Sequence, residues 1–190
     1  MFEMIKSDFE RKFKAFGLRP EDQGPMRYVK LSMELGTQAV VVYRFCRWAR
    51  GVKTPVIGLL LRILARILHL GVMVVAGINI QPYSAIGRGF AIHNFSCIFI
   101  LAERMGDNCT VNQGVTIGNV RGSPRPPILG DNVYVGAGAK ILGEVNIGSN
   151  VVIAANSLVV SNVPDNCTVA GVPARVISKG ADSPYLKYTV

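Results

Sequence analysis

One histidine lies in a nearly apolar stretch of the chain, IGRGFAIHNFSCIF, which runs from Ile86 to Phe99. This residue is His93, and the only other histidine in the sequence is His69. An unperturbed imidazole titrates at about pH 6.5, so His93 is suited to accept and return a proton at neutral pH. Two interpretations follow from the residue alone: His93 is a general base, or it packs against its neighbours with its N–H satisfied.

The charge of the chain is unevenly placed. The 21 Lys and Arg residues outnumber the 12 Asp and Glu residues, and 13 of the basic side chains fall within residues 1–78. Such a positive segment attracts nucleic acid, an anionic membrane surface or phosphorylated ligands. No nucleic-acid recognition motif accompanies it, so we do not expect a nucleic-acid partner.

The cysteines form no C-x-x-C pair and no close cluster with the two histidines; they are Cys46, Cys97, Cys109 and Cys167. This spacing predicts neither a zinc site nor a disulfide framework. The first thirty residues mix charges of both signs without a long apolar core, so no secretory signal is expected. We therefore expect a cytoplasmic protein that holds no metal.

Residues 25–78 have the spacing of helices. The segment Pro55–Ile78 is apolar except at Arg62, Arg66 and His69. Placing each arginine at a bilayer centre costs about 2.5–3.5 kcal/mol, so a membrane-spanning helix is not expected. The arginines mark one polar stripe on an apolar cylinder, which predicts packing against other helices or peripheral contact with a membrane. We interpret His69, in the same stripe, as an ordinary helix residue.

After Ile78 the apolar period changes to six. Aliphatic residues recur at this spacing, with one extra residue before Met105: Ile80, Ile86, Ile92, Ile98, Met105, Val111, Ile117, Leu129, Val135, Ile141, Ile147, Ile153 and Val159. Gly or Asn often follows, and both tolerate the positive φ that the corners of a coil require. This hexapeptide repeat predicts a parallel β-helix in which each hexad supplies one short strand.

The stretch NVRGSPRPP, residues 119–127, interrupts the repeat without changing its phase, because Ile117 and Leu129 are twelve residues apart. A loop rich in Gly and Pro at this point leaves the coil and returns to it. It is either a tolerated surface insertion or a cover over a binding site.

Three segments resemble the hexapeptide-repeat acyltransferases, and among these the serine O-acetyltransferases. They are VNQGVTIGN (111–119), ILGDNVYVGAGAKILGEVNIGSNVVIAANSLVV (128–160) and VPDNCTVAGVPARVI (163–177). The resemblance implies a mainly β chain, with a helical N-terminal region over 1–78, a left-handed parallel β-helix over 79–177 and a tail over 178–190. It also implies a homotrimer, or a dimer of trimers, with acetyl-CoA bound between neighbouring coils as co-substrate.

The same resemblance implies that a histidine acts as general base on a hydroxyl group. Counting back from Gln113 assigns this base to His93, whereas counting forward from the NIQP stretch reaches Asn94. We assign the base to His93 and place a one-residue deletion between Gly89 and His93, because the role needs an imidazole.

In the resembled family a carboxylate orients this histidine, and its expected position here is Asn79. An amide accepts a hydrogen bond from an imidazole but does not stabilise an imidazolium by charge. Three outcomes stay open: another acid such as Asp107 or Glu103 approaches His93, the enzyme is slow, or the scaffold does something else.

The resemblance further assigns acceptor and coenzyme residues. Arg125, Asn94 and Gln113 are assigned to the acceptor, with Arg125 as a cation suited to a carboxylate or phosphate. Small residues beside the coils leave room for the pantetheine arm, and two cations meet the phosphates of the coenzyme. This second set is Gly118, Gly136, Ala137, Gly138, Ala154, Lys140 and Arg175.

The leading interpretation is an acetyl-CoA-dependent O-acetyltransferase that acts on serine or a similar small hydroxyl acceptor. One alternative keeps the chemistry with a sugar, amine or other acceptor, and another is a non-catalytic trimeric scaffold for other proteins. Metal-dependent carbonic anhydrases also use hexapeptide coils, but they need three histidine ligands, which this chain lacks.

Overall fold

The computed structural model describes residues 1–15, 29, 31–122 and 125–180. Within these ranges, the helices α1 (Phe2–Ala15), α2 (Leu35–Gly51) and α3 (Pro55–Ala76) precede the coil. Of the predicted tail, only residues 178–180 fall within the described ranges. Residues 16–28 and 30 of the predicted helical region and residues 123–124 of the predicted loop lie outside them.

Short strands follow from Ile78 onward, two to six residues long. They are β1 (Ile78–Ile80), β2 (Ala85–Ile86), β3 (Ala91–Ile92), β4 (Ile98–Ile100), β5 (Arg104–Met105), β6 (Thr110–Val111), β7 (Thr116–Gly118), β8 (Ile128–Leu129), β9 (Tyr134–Val135), β10 (Lys140–Leu142), β11 (Asn146–Ile147), β12 (Val152–Ile153), β13 (Leu158–Val159), β14 (Cys167–Gly171) and β15 (Ala174–Lys179). The antiparallel pair of β14 and β15 ends the coil.

The strands form three sheets that run along the coil, in the orders β1-β4-β7-β10-β13, β2-β5-β8-β11 and β3-β6-β9-β12-β14-β15. Successive strands along the chain lie in successive sheets, and neighbours within a sheet are parallel except β14 with β15. Each turn of the coil therefore contributes one strand to each sheet. This is the parallel β-helix that the six-residue period predicts.

The predicted hexad side chains form the core. Every position of the repeat from Ile80 to Val159 is at most 4% exposed. The corners between strands use asparagine at positive φ, as at Asn132 (φ 54) and Asn150 (φ 56), where the side-chain amide of Asn132 donates to that of Asn150 over 2.9 Å. The local repeat thus sets both the interior of the coil and its corners.

Helix α1 is fastened to the first turn of the coil by a buried ion pair between Asp8 and Arg44 of α2. The guanidinium donates from Nε and Nη2 to the two carboxylate oxygens over 2.9 and 3.0 Å, and from Nη1 to the Ile86 carbonyl over 2.7 Å. Asp8 also accepts a hydrogen bond from the Phe90 N–H over 2.8 Å. One charge pair therefore joins two helices to the segment just before His93.

Helix α3 is a 22-residue apolar element that is long and apolar enough, by length and composition, to cross a membrane. Its most apolar window has a mean hydropathy of 2.1, and 17% of that window is buried. The buried residues are Gly58, Ala65, His69 and Ala76. Most of the apolar surface of α3 therefore faces outward from this chain.

Candidate active site

His93 follows directly after β3 and is half-buried. The backbone N–H of His93 donates to the Val111 carbonyl of the next turn over 3.3 Å. Burial lowers the pKa of His93 below its ordinary 6.5, and the positive charges of Lys12 and Arg11 lower it further, against the opposing carboxylate of Glu34. At neutral pH the imidazole is therefore uncharged, which is the form that accepts a proton.

The charges beside His93 come from α1 and from the residue before α2. Lys12 is 3% exposed, forms an ion pair with Glu34 and donates to the Thr37 hydroxyl over 2.8 Å. Arg11 donates to the Gly89 carbonyl over 3.0 Å. Because the N-terminal segment carries no motif that we could name, nothing in the sequence indicated these neighbours.

The two acids considered as partners of His93 are placed differently. Asp107 accepts a hydrogen bond from the Arg88 N–H over 2.7 Å at another corner of the coil, and Glu103 is exposed. Among the described residues, the carboxylate whose charge acts on His93 is Glu34. The expectation that Asp107 or Glu103 approaches His93 therefore gains no support from the structure.

Asn79 lies in the middle of β1 and its side chain contacts a different histidine. Its Oδ1 accepts from Gln81 Nε2 over 3.1 Å, and the side chain is hydrogen-bonded to His69 of α3. His69 is 7% exposed, and burial lowers its pKa against the opposing effect of the bond to Asn79. The interpretation of His69 as an ordinary helix residue missed this polar contact.

The proposed acceptor residues Asn94 and Gln113 meet at one corner of the coil. Asn94 Nδ2 donates to Gln113 Oε1 over 3.0 Å, and both side chains are exposed. One turn further along, the Gly138 N–H donates to the Gln113 carbonyl over 2.8 Å, and then the Asn156 N–H donates to the Ala137 carbonyl over 2.8 Å. We call this column the acceptor corner; it brings acceptor and coenzyme candidates together.

Two of the glycines assigned to the coenzyme are required by the coil itself. A Cβ at Gly136 would lie 2.6 Å from the Ala155 nitrogen, and one at Gly138, whose φ is +72°, would lie 2.1 Å from Asn156 Oδ1. At Gly118 the nearest atom would be in the Phe99 ring at 3.5 Å, an ordinary contact. Of these three glycines, Gly118 is the one without a packing reason within the described chain.

The three predicted cations have different partners. Lys140 donates to the Gly114 carbonyl, which holds its ammonium against the coil. Arg125 is exposed and lies 3.6 Å from the Glu144 carboxylate. Arg175 is exposed on β15 and donates from Nη1 to the Ala174 carbonyl over 3.1 Å. Ala154 is half-buried beside the acceptor corner. Both Lys140 and Arg175 donate to a backbone carbonyl, but Arg175 is more exposed and has four further N–H donors, which suits a phosphate better.

The segment before His93 is regular. Ile80, Ile86 and Ile92 keep the six-residue spacing, so the coil shows no shortened turn where we placed the deletion between Gly89 and His93. The irregular segment follows it: Ile100 pairs with Ile80 at twenty residues, and Ser96 and Cys97 have φ of 94° and 54°. Asn94 therefore stays an alternative to His93 for the catalytic position.

Comparisons with known proteins agree with this fold. The family model "Bacterial transferase hexapeptide (six repeats)" matches residues 126–161. A serine acetyltransferase of Bacillus pumilus is 33% identical over 93% of this chain and 77% of its own length. One from Synechococcus elongatus is 41% identical over 75% of this chain, which spans 57% of that relative's length.

Two similar solved structures contain ligands. The Brucella abortus serine acetyltransferase in complex with coenzyme A has a TM-score of 0.77 and 27% identity, over 94% of this chain and 68% of that one. The Neisseria gonorrhoeae serine acetyltransferase in complex with serine has a TM-score of 0.73 and 30% identity, over 93% and 69%. The coil is thus the left-handed β-helix of these proteins, and the chain belongs to the serine acetyltransferase family.

Proposed function

We propose that this chain transfers the acetyl group of acetyl-CoA to the hydroxyl of serine or a similar small acceptor. The observation that carries the proposal is the likeness, over more than nine-tenths of this chain, to a structure with coenzyme A and to one with serine. The acceptor corner supports it, because acceptor and coenzyme candidates lie on consecutive turns there.

The proposed step uses His93 as general base. Its imidazole takes the hydroxyl proton while the hydroxyl oxygen attacks the thioester carbonyl, so that a C–O bond forms and the C–S bond breaks. The coenzyme leaves as a thiolate and takes the proton back as a thiol. The lowered pKa of His93 supports this role, since the base must be uncharged before attack. Asn79, the orienting position of the family pattern, would have to leave its hydrogen bond to His69 to serve His93.

For the coenzyme we propose a path along the acceptor corner. The pantetheine arm would pass Gly118, Gly136, Ala137, Gly138 and Ala154. The small side chains at these positions would leave room for it beside the coil. Arg175 would meet the phosphates, with Lys140 in a lesser role because of its bond to Gly114. Arg125 and Gln113 would contact the acceptor together with Asn94.

The test is the release of coenzyme A thiol from acetyl-CoA with serine and with a panel of sugars and amines. We expect thiol release that depends on serine or on a close analogue. Thiol release with a sugar or an amine but not with serine would support acetyl transfer to that acceptor instead of serine. If the folded protein binds acetyl-CoA but shows no acceptor-dependent thiol release, the proposal is overturned in favour of a scaffold.

The rate should depend on pH through His93. Because the pKa of His93 is lowered, the imidazole stays uncharged below pH 6.5. The kcat measured at about pH 7 should therefore persist to below about pH 6.5 and fall only in more acidic solution. Lys12→Gln removes a positive charge and leaves Glu34, which raises the pKa of His93 and moves the acid limb to higher pH. Lys14→Gln, an exposed change on the same helix, should leave the profile in place. Identical acid limbs in all three proteins would show that His93 is not the titrating group.

We propose a trimer or a multiple of one as the assembly. The coil exposes apolar side chains along its length, including Val160 (49%) and Ile177 (64%), and a neighbouring coil would cover such surface and complete the coenzyme site. Sedimentation equilibrium should give three times the chain mass or a multiple of it. A stable monomer at micromolar concentration would remove the basis of a coenzyme site between chains.

We also propose a cytoplasmic protein that contacts a membrane peripherally through residues 25–78. Support comes from the exposed apolar surface of α3 next to the exposed Arg62 and Arg66. Anionic vesicles should retain the protein at low salt and release it at high salt, because salt screens the attraction. Equal recovery with neutral and anionic vesicles would favour packing of α3 inside the oligomer instead.

A further inference from the structure

We propose that a cavity between α2, α3 and the turn after β1 binds a ligand through its phosphate group. Its volume is about 620 Å³, and it is lined by Arg50 at the end of α2, by Arg62, Arg66 and His69 on one face of α3, and by Asn79 and Tyr83 of the coil. We call it the arginine cavity. The proposal goes beyond acetyl transfer and does not depend on it.

Charge is the first argument. Three guanidinium groups line one concave surface, and none of the described residues that line it is acidic. Within the described ranges, Arg50, Arg62 and Arg66 form no ion pair, whereas Arg44 of the same helical region is paired with Asp8. Like charges around one cavity repel each other, and a bound dianion relieves that repulsion. The site is therefore complementary to an anion of more than one charge.

One arginine of the cavity lies against an aromatic ring. The Arg50 guanidinium lies over the Tyr83 ring, with Cζ 3.9 Å from the ring centroid. A guanidinium has five N–H donors, so Arg50 retains donors that suit a phosphate beside its hydrogen bond to the Tyr83 side chain. Arg62 and Arg66 are one helical turn apart on α3 and face the cavity from the other side. Donors from two helices thus converge on one volume.

The remaining walls define the rest of the ligand. His69 and Asn79 are hydrogen-bonded to each other and offer polar groups without charge, while Leu70, Met73 and Pro82 supply apolar surface. The volume is within the range of about 300–1,000 Å³ that small-molecule sites occupy, and it is larger than a phosphate alone requires. We therefore assign the cavity to a phosphate monoester with a small organic group, either free or as the headgroup of a lipid.

The arginine cavity and the neighbourhood of His93 are formed by different helices and strands. The charges acting on His93 come from Lys12, Arg11 and Glu34, whereas the cavity is built by α2, α3 and β1. Of the described residues proposed for the catalytic, acceptor or coenzyme site, Asn79 lines the cavity, and its side chain contacts His69. Arg62 and Arg66 are consequently the residues to change, since neither belongs to the proposed catalytic or coenzyme site.

The test measures binding rather than turnover. Glycerol 3-phosphate is titrated into the full chain and into Arg62→Gln/Arg66→Gln by calorimetry, with Arg104→Gln as an exposed-arginine control on β5. We expect saturable binding by wild type and control, and an affinity at least about tenfold lower in the double variant, because each arginine supplies a charge-assisted hydrogen bond. A far-UV circular dichroism spectrum and an unfolding midpoint close to those of the unmodified chain show that the double variant is folded.

A second arm separates a free ligand from a lipid headgroup. Vesicles with phosphatidic acid are compared with phosphatidylserine vesicles of equal surface charge. Tighter binding to phosphatidic acid that the double variant loses, without binding of glycerol 3-phosphate, assigns the cavity to a headgroup and supports the proposal. Binding of neither probe by wild type, or binding of either probe equally well by the double variant, overturns it.

The two histidines give an independent readout. The imidazole signals of His69 and His93 are assigned by NMR with a His93→Gln variant. Addition of glycerol 3-phosphate should shift the signal of His69 and leave that of His93 in place. A shift of His93 alone would place the ligand elsewhere and would contradict the proposal.

Discussion

Replacing His93 with alanine is expected to lower turnover by about two to four powers of ten, the contribution that general-base catalysis usually makes. Binding of coenzyme A, measured by calorimetry, should change little, because the imidazole acts on the acceptor hydroxyl. The reason for the large effect is that a hydroxyl is a weak nucleophile until its proton is removed during attack. Full acetyl transfer by His93→Ala with the natural acceptor would make His93 a structural residue.

Asn94→Ala is the matched control, because Asn94 is adjacent and is the alternative from the forward count. It loses the bond to Gln113 but no imidazole, so it should cost far less than His93→Ala. The opposite order would place the catalytic position on Asn94 and would agree with the regular spacing of Ile80, Ile86 and Ile92. The comparison therefore decides between the two counts.

The largest effect on stability is expected from Asp8→Ala. This change leaves the Arg44 guanidinium, 4% exposed, without its carboxylate partner. Removing one member of a buried ion pair costs about 3–5 kcal/mol, since the remaining charge is uncompensated. It also leaves the Phe90 N–H without its acceptor. The free energy of unfolding from urea titrations should fall by that amount, with the helices loosened from the first turn of the coil.

Glu10→Ala on the same helix is the control for the loss of a carboxylate. Glu10 and Lys6 form a pair at 4.0 Å in which both side chains are more than half exposed, and such pairs contribute about 0–1 kcal/mol. The unfolding midpoint of Glu10→Ala should stay close to that of the unmodified chain. Equal midpoints for Asp8→Ala and Glu10→Ala would show that α1 is not fastened by the Asp8–Arg44 pair.

The coil could be predicted because its determinants are local. A hexad carries its own inward side chain and its own corner, so the spacing of residues such as Ile141, Ile147 and Ile153 is sufficient to place strands and core. The helix that begins at Pro55 was predicted for the same reason, from an apolar run with proline at its start.

The surroundings of the candidate site could not be predicted in this way. Lys12 and Arg11 reach His93 across about 80 positions of sequence, and Arg44 is 36 positions from Asp8. These contacts arise from how α1 packs on the coil, and no period or motif in the sequence encodes that packing. The same holds for His69, whose contact with Asn79 depends on the angle between α3 and β1.

The arginine stripe illustrates the difference between a pattern and a site. The spacing of Arg62 and Arg66 predicted that both lie on one face of a helix, and the structure places both on the wall of one cavity. The spacing did not indicate that Arg50 and Tyr83 would lie opposite Arg62 and Arg66. Helical periodicity gives the face of an element, whereas the partner of that face is set by tertiary packing.

The most direct test of the proposed function follows the acetyl group itself. The chain is incubated with acetyl-CoA labelled in the acetyl carbons and with serine, and the products are identified by mass spectrometry. We expect labelled O-acetylserine, formed in equal amount to free coenzyme A thiol and lost with His93→Ala. Thiol release that is independent of serine and of every other acceptor, with no labelled product, would contradict acetyl transfer by this chain.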